Sequence, residues 1–278
     1  MQLVTGPANA TDHRIKWTSS NKTAATVDEN GTVTALRPIE TVTITAVYKT
    51  NPALTCSWNL KITRTKGYIT KQMLDNLDLT AIKKVMITAH PDDETLWGGG
   101  HLIEGEYLVV CMTHGWNPKR RTAFEQTMRT TNDKYLILDY PDVRKTFSNG
   151  KYETDMLSTC KNAMQEDINL ILSYKKWDLI ATHNPFGEYG KYLHKTISQM
   201  VTQCYNKMTN KSATLYYFGR YYNSSNKIPG EQIAPELLAI KNSMVDRYYP
   251  TAKGAIVAFG HMIPVSYTHL RAHETTLH

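Results

Sequence analysis

From Lys84 onward the chain repeats one alternation, a short apolar run followed by a longer amphipathic stretch. The runs are KVMITA, EYLVVCMTH, KYLILDY, WDLIATH and SATLYYFG. Between the third and fourth, Thr154 to Tyr174 places Leu157, Cys160, Met164, Ile168 and Ile171 at i, i+3/i+4 spacing, the apolar face of a helix. Further helices are expected through the glycines to Glu104, over 121–134 and over 191–208. Strands alternating with helices of this length imply βαβ units. The expected fold is α/β, a mainly parallel sheet with helices on both faces.

Residues before about Thr65 have a different texture. They are rich in Thr, Val and Ala and alternate in polarity, and IKWTSS, AATVD, GTVTAL, TVTITAVY and SWNLKITR read as short strands. Asp28-Glu29-Asn30-Gly31 is a hairpin-turn signal. Strands at this spacing suggest a small β-sandwich. WTSSNKTAATVDENGTVTAL followed by TVTITAVY resembles the bacterial immunoglobulin-like domain, group 2, over about residues 5–64. Its first strand reads as cut short, and Cys56 has no partner in the segment, so no antibody-type disulfide is implied. The expected organisation is an N-terminally truncated immunoglobulin-like domain (1–65), a linker (66–81), an α/β domain (82–264) and a non-native tail (265–278). That tail, with SYTHLRAHETTLH, continues no periodicity and resembles translated sequencing-adapter read-through; His269, His273 and His278 receive no role.

Composition excludes rather than selects. The formal net charge of +7 comes from scattered residues, the densest cluster being Lys119-Arg120-Arg121, so no nucleic-acid role is expected. No apolar run is long enough to span a bilayer, and no signal peptide is visible. The four cysteines form no CxxC, and Cys111 and Cys160 are expected as buried thiols.

The chemistry concentrates at AHPDDETLWGGG, directly after KVMITA. Ligands of open α/β sheets bind beyond the carboxyl ends of strands, which puts this charge at a pocket. Three adjacent acids repel unless a cation offsets them. Pro91 stiffens a turn on which His90 and Asp93, three apart, can face one ion. Asp92 between them faces elsewhere and can serve as a general base. Glu94 suits a helix start. Gly98 to Gly100 allow close packing on the sheet, and no phosphate-loop pattern occurs.

AHPDDETLWGGG resembles the signature of the LmbE-like/PIG-L family of metal-dependent N-deacetylases. The resemblance spans about residues 82–262. It implies a Rossmann-like fold, a zinc ion (ferrous iron also suits the ligands), and removal of the acetyl group from N-acetylglucosamine-bearing substrates. His90 and Asp93 would bind the metal and Asp92 would be the base. ATHNPFGEYGKYLHKTI matches the family's later segment and supplies His194 as third ligand, Tyr189 at the reacting carbonyl, and His183 and Asn184 as substrate contacts. Lys191 stands where the family commonly has a histidine, and is expected to support the oxyanion. Arg121, on a helix with Glu125, is the expected further substrate contact. The rival expectation is a catalytically impaired glycan-binding surface protein, because of Lys191. The immunoglobulin-like resemblance implies an exported bacterial parent, secreted or at the cell surface, whose export signal is missing, with glycan or surface association through that domain.

Overall fold

The computed structural model describes residues 14–143, 155–209, 212–223, 233–264 and 270–271. The Thr/Val-rich beginning forms β1 (Ile15–Ser19), β2 (Ala25–Val27), β3 (Val33–Ala35), β4 (Ile39–Tyr48) and β5 (Thr55–Ile62). β4 lies between β1 and β5 and is antiparallel to both, while β2 and β3 make a separate hairpin. Along β4 the period of two buries Val42, Ile44 and Ala46, and leaves Thr43 and Thr45 outside to bond Asn59 and Ser57. The expected turn is held by Asp28 Oδ1, which accepts from the Asn30 and Thr32 amides at 2.9 and 2.8 Å. Cys56 is free and exposed.

The stretch expected as a linker or short helix packs on the α/β core. Ile69, Leu74 (on α1, Lys71–Asp75), Leu79 and Ile82 are buried in its core. Asp167 accepts from the Tyr68 and Ile69 amides at 2.9 and 2.8 Å, and the Lys175 ammonium donates to the Leu79 and Ile82 carbonyls. Spacing of these apolar residues follows no single period, which is why the segment reads as connecting chain.

The α/β alternation then runs β6 (Lys84–Thr88), α2 (Asp93–Leu96), α3 (Gly99–Glu104), β7 (Tyr107–Thr113), α4 (Pro118–Thr131), β8 (Lys134–Tyr140), α5 (Asp155–Tyr174), β9 (Leu179–Thr182), α6 (Gly187–Gly190), α7 (Tyr192–Lys207), β10 (Thr214–Tyr217) and α8 (Pro235–Phe259). The sheet order is β10-β9-β6-β7-β8, all parallel, with β11 (Leu270–Arg271) antiparallel on the outer side of β10. This is the Rossmann-like fold. His269, His273 and His278 lie outside the described residues. Alternate strand residues feed opposite layers: Val85, Ile87, Leu108 and Val110 pack with α1, α5 and α7, whereas Met86, Val109 and Cys111 pack with α3, α4 and α8. Gly98 is needed for this closeness, since a Cβ there would lie 2.7 Å from Met86 Cε. Among the described residues no helix is long and apolar enough to cross a membrane.

One buried acid gives the domain a pH-dependent stability. Asp133, after α4, accepts from the Tyr107 amide at 2.7 Å and from Thr131 Oγ1 at 2.5 Å. Burial pushes its pKa up to about 7, against the lowering effect of those two bonds. An unfolded aspartic acid titrates near about 3.9. The raised folded value therefore contributes stability that is full below that pH and is lost as pH rises through 7. Asp133→Asn keeps an acceptor oxygen and removes the titration. Urea unfolding at pH 5 and pH 8 is expected to show the parent losing about 2 kcal/mol more than the variant across that interval.

Candidate metal centre

The strand order reverses between β6 and β9, so the chain leaving β6 and the chain leaving β9 diverge around one crevice. AHPDDE follows β6 and ATHNPFGEYGKYLH follows β9, which brings the two sequence motifs together. His90, Asp93 and His194 are all buried there. His90 Nδ1 lies 3.1 Å from both Asp93 Oδ2 and His194 Nε2, and His194 Nε2 lies 3.3 Å from Asp93 Oδ2.

The outer nitrogens of the two imidazoles fix their tautomers. His90 Nε2 donates to Asp142 Oδ1 at 2.9 Å, and His194 Nδ1 donates to Glu188 Oε2 at 2.5 Å. Each ring thus turns an unprotonated nitrogen toward Asp93 when neutral. Two lone pairs and a carboxylate oxygen meeting in a buried space repel unless a cation sits among them. The separations match it: tetrahedral ligands on bonds of about 2.1 Å stand about 3.4 Å apart. The donor set suits zinc or ferrous iron. The direction of the pKa shifts carries the same demand for positive charge. Burial would lower the His194 pKa, but Asp93 and Glu188 outweigh it and push it up to about 10. Burial would raise that of Asp93, but His194 and His183 hold it well below the usual carboxylate range.

His183, Glu188 and His194 form a second close group among the described residues, but not one with free lone pairs. The Ala89 amide donates to His183 Nε2 at 2.9 Å, which leaves Nδ1–H to donate to Glu188 Oε2 at 3.0 Å. One Glu188 oxygen therefore accepts a hydrogen bond from each histidine. The other accepts from the Asn184 amide at 3.0 Å. Glu188 sits at φ 53°, ψ −67°, after Gly187 at φ 65°, a left-handed excursion that only glycine adopts freely. This strained turn aims the carboxylate under His194.

Asp92 occupies the position before α2 with φ 136° and makes no capping bond. Its amide donates to Glu94 Oε2 at 3.0 Å, while its own Oδ1 lies 3.1 Å from Arg120 Nη2. Glu94 is the interior anchor of the turn and accepts from Tyr248 Oη at 2.6 Å. Burial raises the Asp92 pKa, Arg120 opposes it, and the outcome is about 6.

Of the neighbouring arginines it is Arg120 that bonds the AHPDDE turn. Asn117 accepts from the amides of Lys119 and Arg120 and starts α4, so Arg120 lies over the AHPDDE turn and donates to the Pro91 carbonyl at 2.7 Å. Arg121, one position on, is exposed. Glu125 faces Arg129 at 4.0 Å rather than Arg121. His183 and Asn184, the expected substrate contacts, lie within the loop that follows β9. Both are fully buried, and Asn184 is spent on the Phe218 and Gly219 carbonyls and the Phe186 and Glu188 amides. They hold the loop rather than meet solvent. Tyr189 is 43% exposed beside His194, with ring centroids 5.6 Å apart. Lys191 is half-buried just before α7; its charge adds a minor share to the lowering of His114, which burial dominates, and of Asp142, where His90 outweighs the raising effect of burial.

A family model for the bacterial immunoglobulin-like domain, group 2, matches residues 1–57. An uncharacterised protein of Acanthamoeba polyphaga mimivirus is 31% identical over 175 residues, which covers 57% of this chain and 67% of that protein. The chain belongs to the family of that mimiviral protein. A second relative of this family member, an uncharacterised protein of Clostridium acetobutylicum, is 33% identical over 97 residues, 34% of this chain and 10% of the relative. The chain thus spans about two thirds of one relative and a tenth of the other. Among solved structures, the pseudoaglycone deacetylase Dbv21 is similar with TM-score 0.46 and 13% identity over 62% of this chain and 84% of that one. The 4-carboxy-2-hydroxymuconate hydratase GalB of Pseudomonas putida is similar with TM-score 0.40 and 11% identity over 65% and 83%. The group 2 immunoglobulin-like domain is thus matched over residues 1–57, and in the α/β domain the AHPDDE and ATHNPFGEYGKYLH segments share one crevice.

Proposed function

We propose that the protein is a metal-dependent hydrolase that removes the N-acetyl group from an N-acetylglucosamine-type sugar or glycoconjugate. The observation that carries this reading is the convergence of His90 Nδ1, Asp93 Oδ2 and His194 Nε2, buried and 3.1–3.3 Å apart, beside Asp92. A zinc or ferrous ion bound there supplies Lewis-acid polarisation of the acetyl carbonyl and acidifies water. Asp142 and Glu188 keep the two histidines in the liganding tautomer. Asp92 accepts a proton from the attacking water as its oxygen bonds the acetyl carbon, and returns it to the nitrogen as the C–N bond breaks. Arg120 orients Asp92. Tyr189 and Lys191 are the donors to the developing oxyanion in this reading, which the closeness of the Tyr189 ring to His194 supports. The products are acetate and a free amino sugar. The immunoglobulin-like domain supports a secreted or surface-attached bacterial parent acting on an extracellular glycan.

The test is acetate release from N-acetylglucosamine-containing glycans by protein supplied with zinc or ferrous iron. His194→Ala is expected to lose at least about a hundredfold in metal affinity and activity together. Release that persists in His194→Ala, or that needs no metal, would overturn the assignment. Lys191 motivates the other reading, a site that binds metal and glycan without turnover; tight His194-dependent metal binding with no acetate from any glycan would select it.

A further inference from the structure

We infer that the immunoglobulin-like domain completes the substrate cleft, as an outer subsite for a second sugar ring of an oligosaccharide; this rests on the deacetylase reading of the metal centre. A cavity of about 550 Å³ lies between the two domains, with Asn21, Arg37 and Glu40 on one wall and His114, Trp116 and Asp142 on the other. Two of its lining residues, Asp142 and His114, neighbour His90 of the metal centre. Asp142 bonds His90, and the His114 ring is 5.7 Å from that of His90 and stacked at 6.3 Å on Trp116.

At the outer end the Arg37 guanidinium lies 4.3 Å over the Trp116 ring, a cation–π contact that fixes one domain against the other. Arg37 Nη2 donates to Thr23 Oγ1 at 3.2 Å and Nη1 reaches the Pro38 carbonyl at 3.5 Å, while its Nε has no partner. An arginine has five N–H donors, so donor capacity remains on this wall. Of the acids that line the cavity, Glu40 pairs with Lys61 at 2.8 Å and Asp142 with His90, while Asp155 adds a further carboxylate to the wall. Aromatic rings with an amide, a guanidinium and carboxylates at fixed places suit a neutral ring that carries hydroxyls. The volume is within the range of small-ligand pockets, and the proposed metal ligands are not among the residues that line it. A sugar whose acetamide reaches His90 and His194 would direct its neighbour into this cavity.

The experiment is calorimetric titration of the full chain, loaded with zinc, with the β-1,4-linked tetramer of N-acetylglucosamine and separately with the monosaccharide. The tetramer is expected to bind more tightly. Arg37→Ala and Trp116→Ala, on opposite walls, should each weaken the tetramer about tenfold and narrow its advantage over the monosaccharide. The double variant should lose little more than either single one, because the two side chains form one stack. Arg37→Lys, which keeps charge but not the planar fork, should fall between parent and Arg37→Ala. Equal tetramer affinity in parent and Arg37→Ala, an equal loss for both sugars, or no tetramer binding would each overturn the subsite. Failure of the deacetylase reading is separate: it is the absence of acetate from either sugar in the parent protein, and the binding ratio judges the subsite in either case.

Discussion

Asp92→Asn is expected to leave the metal bound and to reduce acetate release by about 10²–10⁴-fold, the usual worth of a positioned general base. The substitution changes little else. Asparagine is isosteric, has the same branching at the φ of 136° that Asp92 adopts, and keeps an oxygen for Arg120. The Asp92 amide still has Glu94 as its acceptor. What is lost is the ability to take a proton. The same logic fixes the acid side of the pH profile. The base works only when deprotonated, so activity should fall as Asp92 becomes protonated and this limb should vanish with the residual activity of the variant. Metal content per chain and acetate release, measured on the same preparation, separate the outcomes. Undiminished release would place the base elsewhere. Loss of metal together with activity would make Asp92 a part of the metal cradle instead.

The local motif around Asp92 was legible because its parts are adjacent in sequence and its strand is a compact apolar run that has few other uses. The βαβ alternation was legible for the same reason: a strand buried on both faces has no polar alternation to confuse with a surface. Residues that act from a distance were harder. Choosing between Arg120 and Arg121 requires the phase of α4, and Asn117-Pro118, a cap followed by proline, carried that information. Asp142 also had a signal, an acid just beyond the carboxyl end of β8. α8 had less. Its 25 residues include Pro250 and a non-helical Ala252, and its buried Met244, Val245 and Tyr248 are paid for by contacts with α2, α3 and α4 rather than by a clean apolar stripe. Glu188 had none, since an acid between two glycines looks like an exposed turn. Only the closed fold shows the two imidazoles that it serves.

Glu188→Ala is expected to weaken zinc binding by about 10–100-fold although no ligand atom is touched. In the parent a single Glu188 oxygen accepts from both His183 and His194. Without it two buried imidazole N–H groups lose their acceptor, at a cost to stability of about 1–3 kcal/mol each. His194 can escape by moving its proton to Nε2, but that consumes the lone pair that faces Asp93. His183 cannot follow, because its Nε2 already accepts from Ala89. Metal affinity and stability should therefore fall together, read by competition with a zinc chelator and by urea unfolding. Asp142→Asn provides the contrast. Asp142 has a side chain 25% exposed, so water can stand in for it at His90, and a smaller loss of affinity is expected. Unchanged zinc affinity in Glu188→Ala would mean that packing alone orients His194. A larger effect from Asp142→Asn than from Glu188→Ala would mean that His90, on the short stiff turn, is the ligand whose tautomer controls the site.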